Sequence, residues 1–545
     1  MFVRVKKSGK YQYLQIVENR KEAGRVKQRV IATVGRMDQL QDKGRIETLI
    51  RSLSRFSEKA LLILSGQSDV SAHAMTIGPA LVFDRLWKES GIKDCINELL
   101  KGRKFEFDVE RAIFLTVLHR LMVSGSDRFC EKWQRDHLIP GTETLVLHHL
   151  YRAMTFLGEV LPDEQTAGKF GPRRNKDLIE EMLFYKNRDL FSNLDLVFFD
   201  TTSIYFQGQG GEHFGRRGFS KDHRPDLFQM VVGAVLDDTG RPICCEMWPG
   251  NTTDVTTLLP ELERLQSRFS VGEFCIVADR GMISARTLEK LDEDETPYIL
   301  GTRMRRVKRI NTKILTRAGR YNDVFPESAD RRKPAPLKVK EVIHEGTRYI
   351  VCLNERQARK DASDREAILE SLKRKLKQGA TSLVGNRGYR RYLKVAKDST
   401  RIDPAKVKAD ARFDGKWVLI TNTKLPADKV ALKYKELWRV ERVFRDMKSL
   451  LETRPVYHQK DENIAGHVFC SFLALVLRKE LDQRLADSKH RFEWSDIKQD
   501  LKALKQVEIE ENGKCFAIRT ECKGVCGKVF QSVRVALPPT IKEVA

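Results

Sequence analysis

The order of apolar segments between residues 194 and 301 constrains the fold of this chain more than any other feature. Patterns rich in β-branched and aromatic residues predict strands at residues 194–200, 228–236, 242–248, 274–279 and 298–301. The turn Asp237-Asp238-Thr239-Gly240 joins the second and third strands as an antiparallel hairpin. Helical patterns follow Asp254, where Pro260 predicts a late start or a kink, and recur at residues 284–291. The predicted order is β-β-β-α-β-α-β.

Two of these predicted strands end in an acidic residue, Asp200 and Asp279. The β-β-β-α-β-α-β order is that of a ribonuclease-H-like α/β core, in which the first and fourth strands lie side by side. That pairing would bring Asp200 and Asp279 together. A run of β-type residues that closes on an acid presents a carboxylate at the tip of a strand, where a site can form.

A third acid, Glu441, lies in a helical pattern with an unusual polar stripe. The residues of this stripe are separated by three, four, four and three positions, so they share one helix face. They are Tyr434, Leu437, Glu441, Arg445 and Lys448. Taken alone, the stripe fits a solvated face with a Glu441–Arg445 ion pair. Together with Asp200 and Asp279, the stripe favours an active site.

The charge of the chain indicates the substrate class. The net charge is +24, and charged residues make up 32% of the sequence. Residues 1–36 alone contain ten Lys or Arg against two Asp or Glu. A basic excess of this size points to a polyanionic partner. Three acids that gather in space can hold two Mg²⁺ ions for phosphodiester chemistry, so the expected substrate is a nucleic acid.

The rest of the chain surrounds this core. Residues 40–190 are mainly helical in pattern, and residues 302–425 are β-rich and interrupt the core between the second and third acids. The predicted segments are a basic β-rich segment at 1–40, a helical, DNA-binding region at 41–190, the first part of the core at 191–301, a β-rich insertion at 302–425, the second part of the core at 426–485 and a C-terminal region at 486–545.

The combination of motifs resembles the DDE transposases of bacterial insertion sequences, of the insertion-sequence-four type with a β-rich insertion. The matching pieces are Asp200-Thr201-Thr202-Ser203, Ala278-Asp279-Arg280-Gly281 and the helix with Tyr434, Glu441 and Lys448. The family pattern on that helix is Tyr-x2-Arg-x3-Glu-x6-Lys. Here the arginine position holds Leu437, and Arg445 is the better geometric substitute on that face.

The resemblance implies the chemistry of the site. Asp200, Asp279 and Glu441 are expected to coordinate two Mg²⁺ or Mn²⁺ ions, and Tyr434 and Lys448 to grip phosphate near the element end. Asp195 and Glu452 are competing acids for these roles.

Two further segments are candidate DNA contacts. The loop at residues 215–229 is basic and rich in glycine, which suits a flexible element at the edge of the site; an ordinary long loop is the alternative. Trp417 lies on a strand just before the helix of Glu441, where it fits either a ring that stacks a flipped base or a core residue. The loop's candidate DNA-binding residues are Arg216, Arg217, Lys221, His223 and Arg224.

The predicted function is therefore a DNA transposase that cuts at the ends of its element and joins them to target DNA. The alternatives are a stand-alone metal-dependent nuclease on the same fold and a catalytically silent DNA-binding protein. Both ends must be processed together, so we expect at least a dimer in the end complex. No apolar stretch approaches the length of a membrane span and no leader is evident, so we expect a cytoplasmic protein associated with DNA, with no small-molecule cofactor.

Overall fold

A computed structural model describes most of the chain. The described residues are 2–22, 25–41, 45–46, 49, 71–162, 172–187, 196–269, 274–326, 336–378, 387–395, 400–450, 453–511 and 514–544. The competing acids Asp195 and Glu452 lie outside them. The chain forms two compact units, one from Met1–Arg85, Lys132–Pro140 and Gln483–Ala545 and the other from Leu86–Glu131 and Gly141–Asp482.

The elements are numbered along the chain. The strands are β1 (Phe2–Ser8), β2 (Tyr11–Glu22), β3 (Arg25–Arg36), β4 (Ser71–Thr76), β5 (Leu196–Tyr205), β6 (Gln229–Leu236), β7 (Pro242–Pro249), β8 (Cys275–Ala278), β9 (Tyr298–Gly301), β10 (Asn322–Val324), β11 (Leu337–His344), β12 (Thr347–Leu353), β13 (Leu393–Val395), β14 (Thr400–Ile402), β15 (Lys416–Thr421), β16 (Lys505–Glu511), β17 (Lys514–Arg519) and β18 (Ile541–Val544). The α-helices are α1 (Met37–Gln41), α2 (Gly78–Glu89), α3 (Ile92–Leu100), α4 (Val109–Met122), α5 (Asp127–Trp133), α6 (Leu147–Gly158), α7 (Asn175–Lys186), α8 (Leu258–Phe269), α9 (Ala285–Glu293), α10 (Glu355–Gln378), α11 (Arg387–Arg390), α12 (Pro404–Ala411), α13 (Ala427–Lys435), α14 (Trp438–Arg445), α15 (Asp461–Asp487), α16 (Trp494–Ala503) and α17 (Cys526–Val533).

The first unit contains two antiparallel sheets. Strands β1, β2 and β3 form one of them, as the alternation of the N-terminal segment predicts. The other has the order β18-β17-β16-β4, so three of its four strands come from the C-terminal region.

The second unit is built on one large sheet. Within the described residues its order is β10-β11-β12-β15-β9-β8-β5-β6-β7. Strands β5 and β8 are parallel neighbours, so the expected pairing of the first and fourth strands is present. Strands β10, β11, β12 and β15 of the predicted insertion join this sheet at the edge of β9, since β15 pairs antiparallel with β9, while β13 and β14 form a separate two-stranded sheet.

The two faces of this sheet carry different helices. Side chains alternate along a strand, so Leu196 and Phe198 of β5 pack on one face and Val197 and Phe199 on the other. Helices α13 and α14 cover the first face. Helix α8 covers the second face. The face of Leu196 and Phe198 is therefore the one on which the helix of Glu441 lies.

Two expectations about element ends are wrong. Strand β5 does not end at Asp200, because residues 201–205 go on pairing with β6 after the pairing with β8 has stopped at Phe199. The helical pattern at 428–452 is not one continuous helix. It divides into α13, α14 and a π-helical turn at Asp446–Leu450, with a break at Glu436 and Leu437. Leu437 turns into the core there, so burial of its side chain, rather than a straight polar stripe, decides the local path.

Other helices follow the sequence closely. Helix α8 begins at Leu258, which places Pro260 in its first turn, where a proline is tolerated. The side chain of Ser284 caps α9 by accepting a hydrogen bond from the backbone N–H of Thr287. Of the helices in the described part of the chain, none combines the length and the apolar character that crossing a membrane requires.

Candidate active site

Asp200 and Asp279 meet where the parallel pairing of β5 and β8 ends. Phe199 is opposite Ala278 in the last pair, so the next residue on each strand is an aspartate. Asp200 has the same parity along β5 as Leu196 and Phe198, whose side chains pack under α13 and α14. The sheet therefore directs the Asp200 carboxylate to the side that carries Glu441.

The environment of Asp200 disfavours its charge. The pKa of this carboxyl is raised to about 6, chiefly by burial and also by the nearby charges of Asp279 and Asp254. The Lys221 ammonium and the backbone N–H of Thr201 act in the opposite direction without compensating. A buried carboxylate beside other carboxylates is stabilised by an added cation.

Tyr434 of α13 binds the second aspartate directly. Its phenol donates a hydrogen bond to Oδ1 of Asp279 at 3.1 Å. Burial, together with the Asp279 charge, raises the pKa of this phenol, so it stays a donor. Gly301 makes the approach possible, because a Cβ there would lie 2.2 Å from Tyr434 Oη.

Glu441 lies on α14, over the same face of the sheet. It is exposed, and its side chain makes no hydrogen bond or ion pair with any described residue. Its neighbours Leu437, Val440 and Phe444 are buried under the helix. The burial of Leu437 explains why the arginine position of the family pattern offers no phosphate contact here. Arg445 is exposed at the end of the same helix.

A further acid, Asp254, belongs to this site and was missed by the sequence analysis. Thr201 Oγ1 donates to Asp254 Oδ1 at 2.6 Å, and Lys221 Nζ lies 3.1 Å from Asp254 Oδ2. Asp254 begins a short 3-10 turn that precedes α8. An aspartate just before a helix is a common N-cap, so the sequence carried no signal that distinguished this carboxylate from an ordinary cap.

The loop at residues 215–229 is anchored to the site rather than free. Lys221 contacts Asp254 and the backbone oxygen of Thr201, and Asp222 binds Lys448 at 2.8 Å and Arg454. Ionic contacts therefore hold the centre of the loop against the site, and the flexibility of the loop stays a prediction. The other candidates in this loop, all exposed, are Arg216, Arg217, His223 and Arg224.

A cleft with a volume of about 620 Å³ opens beside the two acids. Asp279, Asp254 and Lys221 line one part of it, and Arg280 and Arg303–Arg306 line another. Phe219 borders the cleft and is 84% exposed. A basic wall next to carboxylates suits a phosphate backbone that passes over the acids.

Trp417 has the surroundings of a supporting residue. It lies on β15 opposite Cys352, is half-buried and packs against the apolar cluster beneath α13 and α14. Its indole N–H is buried without a hydrogen-bond partner among the described residues. Phe219, at the border of the cleft, is far more exposed.

A tighter group of acids lies elsewhere in the same unit, but it is already paired with cations. Asp177, Glu180 and Glu246 lie close enough to share an ion. Their carboxylates instead receive Lys176, Arg264 and Arg268, and all three acids are buried. A cation would have to displace existing charges there, so the carboxylates around Asp200 are the better candidate for a metal.

Comparisons with known proteins identify the family to which this chain is similar. The family model described as "Transposase DDE domain" matches residues 192–477, just over half of the chain. The model described as "IS1634 family transposase, N-terminal domain" matches residues 3–68. A solved synaptic complex of piggyBac transposase with hairpin DNA aligns with a TM-score of 0.35 and 9% identity, covering 78% of this chain and 79% of that chain. No curated protein matches the sequence.

Proposed function

The chain belongs to the DDE transposases of insertion sequences and is a DNA transposase, and on that premise we propose that Asp200, Asp279 and Glu441 form its metal-binding acids. The observation that carries this proposal is the register of β5 and β8, which brings Asp200 next to Asp279. The Tyr434 hydrogen bond to Asp279 ties the helix region of Glu441 to the same place.

We propose that the core is ribonuclease-H-like. The order β9-β8-β5-β6-β7 supports this, because the first strand of the core is central and has the second and fourth strands as its neighbours. Strands β15, β12, β11 and β10, from residues 302–425, extend the sheet beyond β9. The insertion-sequence-four assignment stays a prediction that rests on the Tyr434, Glu441 and Lys448 spacing.

The donors at this site fit divalent cations such as Mg²⁺ or Mn²⁺. Carboxylate oxygens are the ligands that these hard cations prefer. An ammonium, Lys221, already lies among the oxygens of Asp254, Asp200 and Thr201, which is direct evidence that the site attracts positive charge. Two bound ions would supply activation of the attacking hydroxyl and stabilisation of the leaving 3′ oxygen.

The chain's own residues orient the acids and the DNA. The Tyr434 phenol fixes the Asp279 carboxylate, and the N–H of Thr201 fixes that of Asp200. Arg280 and Arg303 place positive charge along the cleft, where they would hold the backbone of an element end. We propose at least a dimer on DNA, because two ends must be cut in concert, and a cytoplasmic location stays a prediction.

Phe219 is the aromatic that we expect to contact bases. It is exposed at the cleft, whereas Trp417 is half-buried against an apolar cluster. A ring that stacks a base must be accessible, and such stacking contributes roughly 1–3 kcal/mol per base.

The test is an assay of cleavage and joining on duplexes that carry the element's terminal inverted repeats. We expect both products in Mg²⁺ and neither with Asp279→Ala, while DNA binding is kept. Cleavage without joining would favour the stand-alone nuclease. Binding without cleavage in any divalent ion would favour the silent DNA-binding protein.

A matched pair of variants in the same assay tests whether Glu441 or Asp254 is the third metal ligand. Glu441→Gln should abolish cleavage, and Asp254→Asn should reduce it less, because Asp254 reaches the site through Thr201 and Lys221. Near-normal cleavage by Glu441→Gln together with full loss in Asp254→Asn would reassign the third ligand to Asp254.

A further inference from the structure

Two consecutive residues of the loop at 215–229 place opposite charges in the active site. Lys221 Nζ lies 2.6 Å from the backbone oxygen of Thr201, 2.9 Å from its Oγ1, 3.1 Å from Asp254 Oδ2 and 3.8 Å from Asp200 Oδ1. An ammonium among four oxygens, two of them from acids, occupies a position that favours a cation.

Asp222 occupies the complementary position. Its Oδ1 binds Lys448 Nζ at 2.8 Å and also an Arg454 guanidinium nitrogen. Two cations that converge on one carboxylate oxygen form the kind of site that also binds a phosphate oxygen. The other oxygen, Oδ2, is buried and has no hydrogen-bond partner among the described residues, so this carboxylate is incompletely matched to its surroundings.

The backbone around this pair is held on one side and strained on the other. The N–H of Lys221 donates to Ser203 Oγ at 2.8 Å. His223, the next residue after Asp222, has a backbone φ of +58°, a left-handed conformation that is uncommon outside glycine. The pair therefore lies in a turn whose backbone is anchored to β5 at Lys221 and passes into the left-handed region at His223.

We propose that Lys221 and Asp222 form an internal plug: without DNA, the Lys221 ammonium takes the position of a metal ion and the Asp222 carboxylate takes that of a backbone phosphate. This inference rests on the proposed function, because it requires Asp200 and Asp279 to be metal ligands. When DNA and metal bind, a metal ion replaces the Lys221 ammonium and a backbone phosphate replaces the Asp222 carboxylate, so each group gives way to one of the same charge. Because the two residues are adjacent in the chain, release of one loosens the other, and phosphate and metal bind cooperatively.

The first test measures binding of Mn²⁺ to the full-length protein without DNA, by the electron paramagnetic resonance signal of free Mn²⁺. Lys221→Met should bind Mn²⁺ about tenfold more tightly or better, because no ammonium competes for the oxygens. Lys221→Arg keeps the charge and should bind like the unmodified protein, as should Lys308→Met, which removes an exposed lysine elsewhere in the same unit. If Lys221→Met disturbs folding by thermal melting, Lys221→Gln replaces it. Unchanged or weaker Mn²⁺ binding in the folded Lys221 variant would overturn the plug.

The second test measures binding of a random-sequence duplex in EDTA. Asp222→Asn frees Lys448 and Arg454 and should tighten binding at least about fivefold. Asp226→Asn is the matched control, since Asp226 is an exposed acid of the same loop that pairs with Arg224. The plug requires both tests to succeed, so equal affinity of Asp222→Asn and Asp226→Asn also overturns it.

One more variant separates this inference from the proposed function. Asp279→Asn should weaken Mn²⁺ binding by the otherwise unmodified protein. If it does, and Lys221→Met changes nothing, only the plug fails. If Asp279→Asn leaves Mn²⁺ binding intact, the acids do not hold the ion and the proposed function itself fails.

Discussion

Two groups of acids in the same unit differ in how many cations pair with them. In the buried cluster between α7, α8 and β7, Asp177 and Glu180 pair with Lys176 and Arg268. At the active site, Asp200, Asp254 and Asp279 share one nearby ammonium, that of Lys221. The first group is buried, whereas the second borders an open cleft.

The pKa shifts of Asp177 and Asp200 differ in sign for this reason, whereas burial raises the pKa of Glu180, which lies in the same cluster as Asp177. Burial acts to raise the pKa of Asp177, but Lys176, Arg268 and Arg264 outweigh it, so the pKa is lowered. Burial raises the pKa of Asp200, and Lys221 does not outweigh it. Acids that are paired with Lys or Arg link neighbouring elements, whereas acids that lack enough cationic partners are able to bind a metal ion.

The largest expected effect tests the active-site half of this comparison. Asp279→Ala should lower cleavage by ~10³-fold or more, because loss of a metal ligand removes about 4 kcal/mol of transition-state stabilisation. The thermal midpoint should fall only slightly, because the Tyr434 phenol loses its acceptor while one of the acids crowded around Asp200 is removed. A large loss of thermal stability would show that Asp279 is a structural acid like Asp177 and would break the comparison.

The next effect tests the buried cluster. Lys176→Met leaves Asp177 and Glu180 short of one cation and should lower the free energy of unfolding by about 3–5 kcal/mol. Lys290→Met removes a lysine from an exposed pair with Asp294 and should cost less than about 0.5 kcal/mol. Urea denaturation of both variants measures the difference. Equal effects would mean that burial of the cluster does not matter.

A smaller effect of opposite sign is expected for Asp200→Asn in the metal-free protein. The pKa of Asp200 is about 6 in the folded state against an ordinary value of 3.8, so the folded state binds the proton more tightly. The carboxylate therefore destabilises the fold above about pH 6, by up to about 3 kcal/mol, and the penalty disappears as the pH falls below about 4. Asp200→Asn should stabilise the protein at pH 8 and not at pH 4.

Thermal melting across that pH range, in EDTA, measures this effect. If Asp200→Asn is instead less stable than the unmodified protein at pH 8, the Asp200 carboxylate stabilises the fold through its cationic partners, as Asp177 does. Cleavage by this variant should be lost even though its fold is more stable, since the metal ligand is gone.

The smallest effect concerns the residues that support the site. Trp417→Ala should cost about 2 kcal/mol of stability, less than a fully buried tryptophan, and Trp417→Phe should recover most of it. Phe219→Ala should leave stability unchanged and weaken processing of the element end, because the ring is exposed. If Trp417→Ala has normal stability and a defect confined to second-strand processing, Trp417 is the residue that stacks a base.

Local sequence patterns predicted the elements of the core well. The strands at β6, β7, β8 and β9 begin and end within a residue of the predicted positions. The turn at Asp237–Gly240, the cap at Ser284 and the late start of α8 at Pro260 follow from local chemistry. The end of β5 did not, because it depends on which neighbouring strand keeps pairing after Asp200.

The sequence by itself determined that Asp200 and Asp279 close two apolar runs and that the strand order can make them neighbours, because alternation and chain order are local properties. The tertiary structure alone decided what surrounds them. Asp254 joins them through Thr201 across the sheet end, and Lys221 arrives from a loop whose length permits many paths. Such contacts between distant segments leave no periodic signal, since they depend on where the packed chain brings each charge.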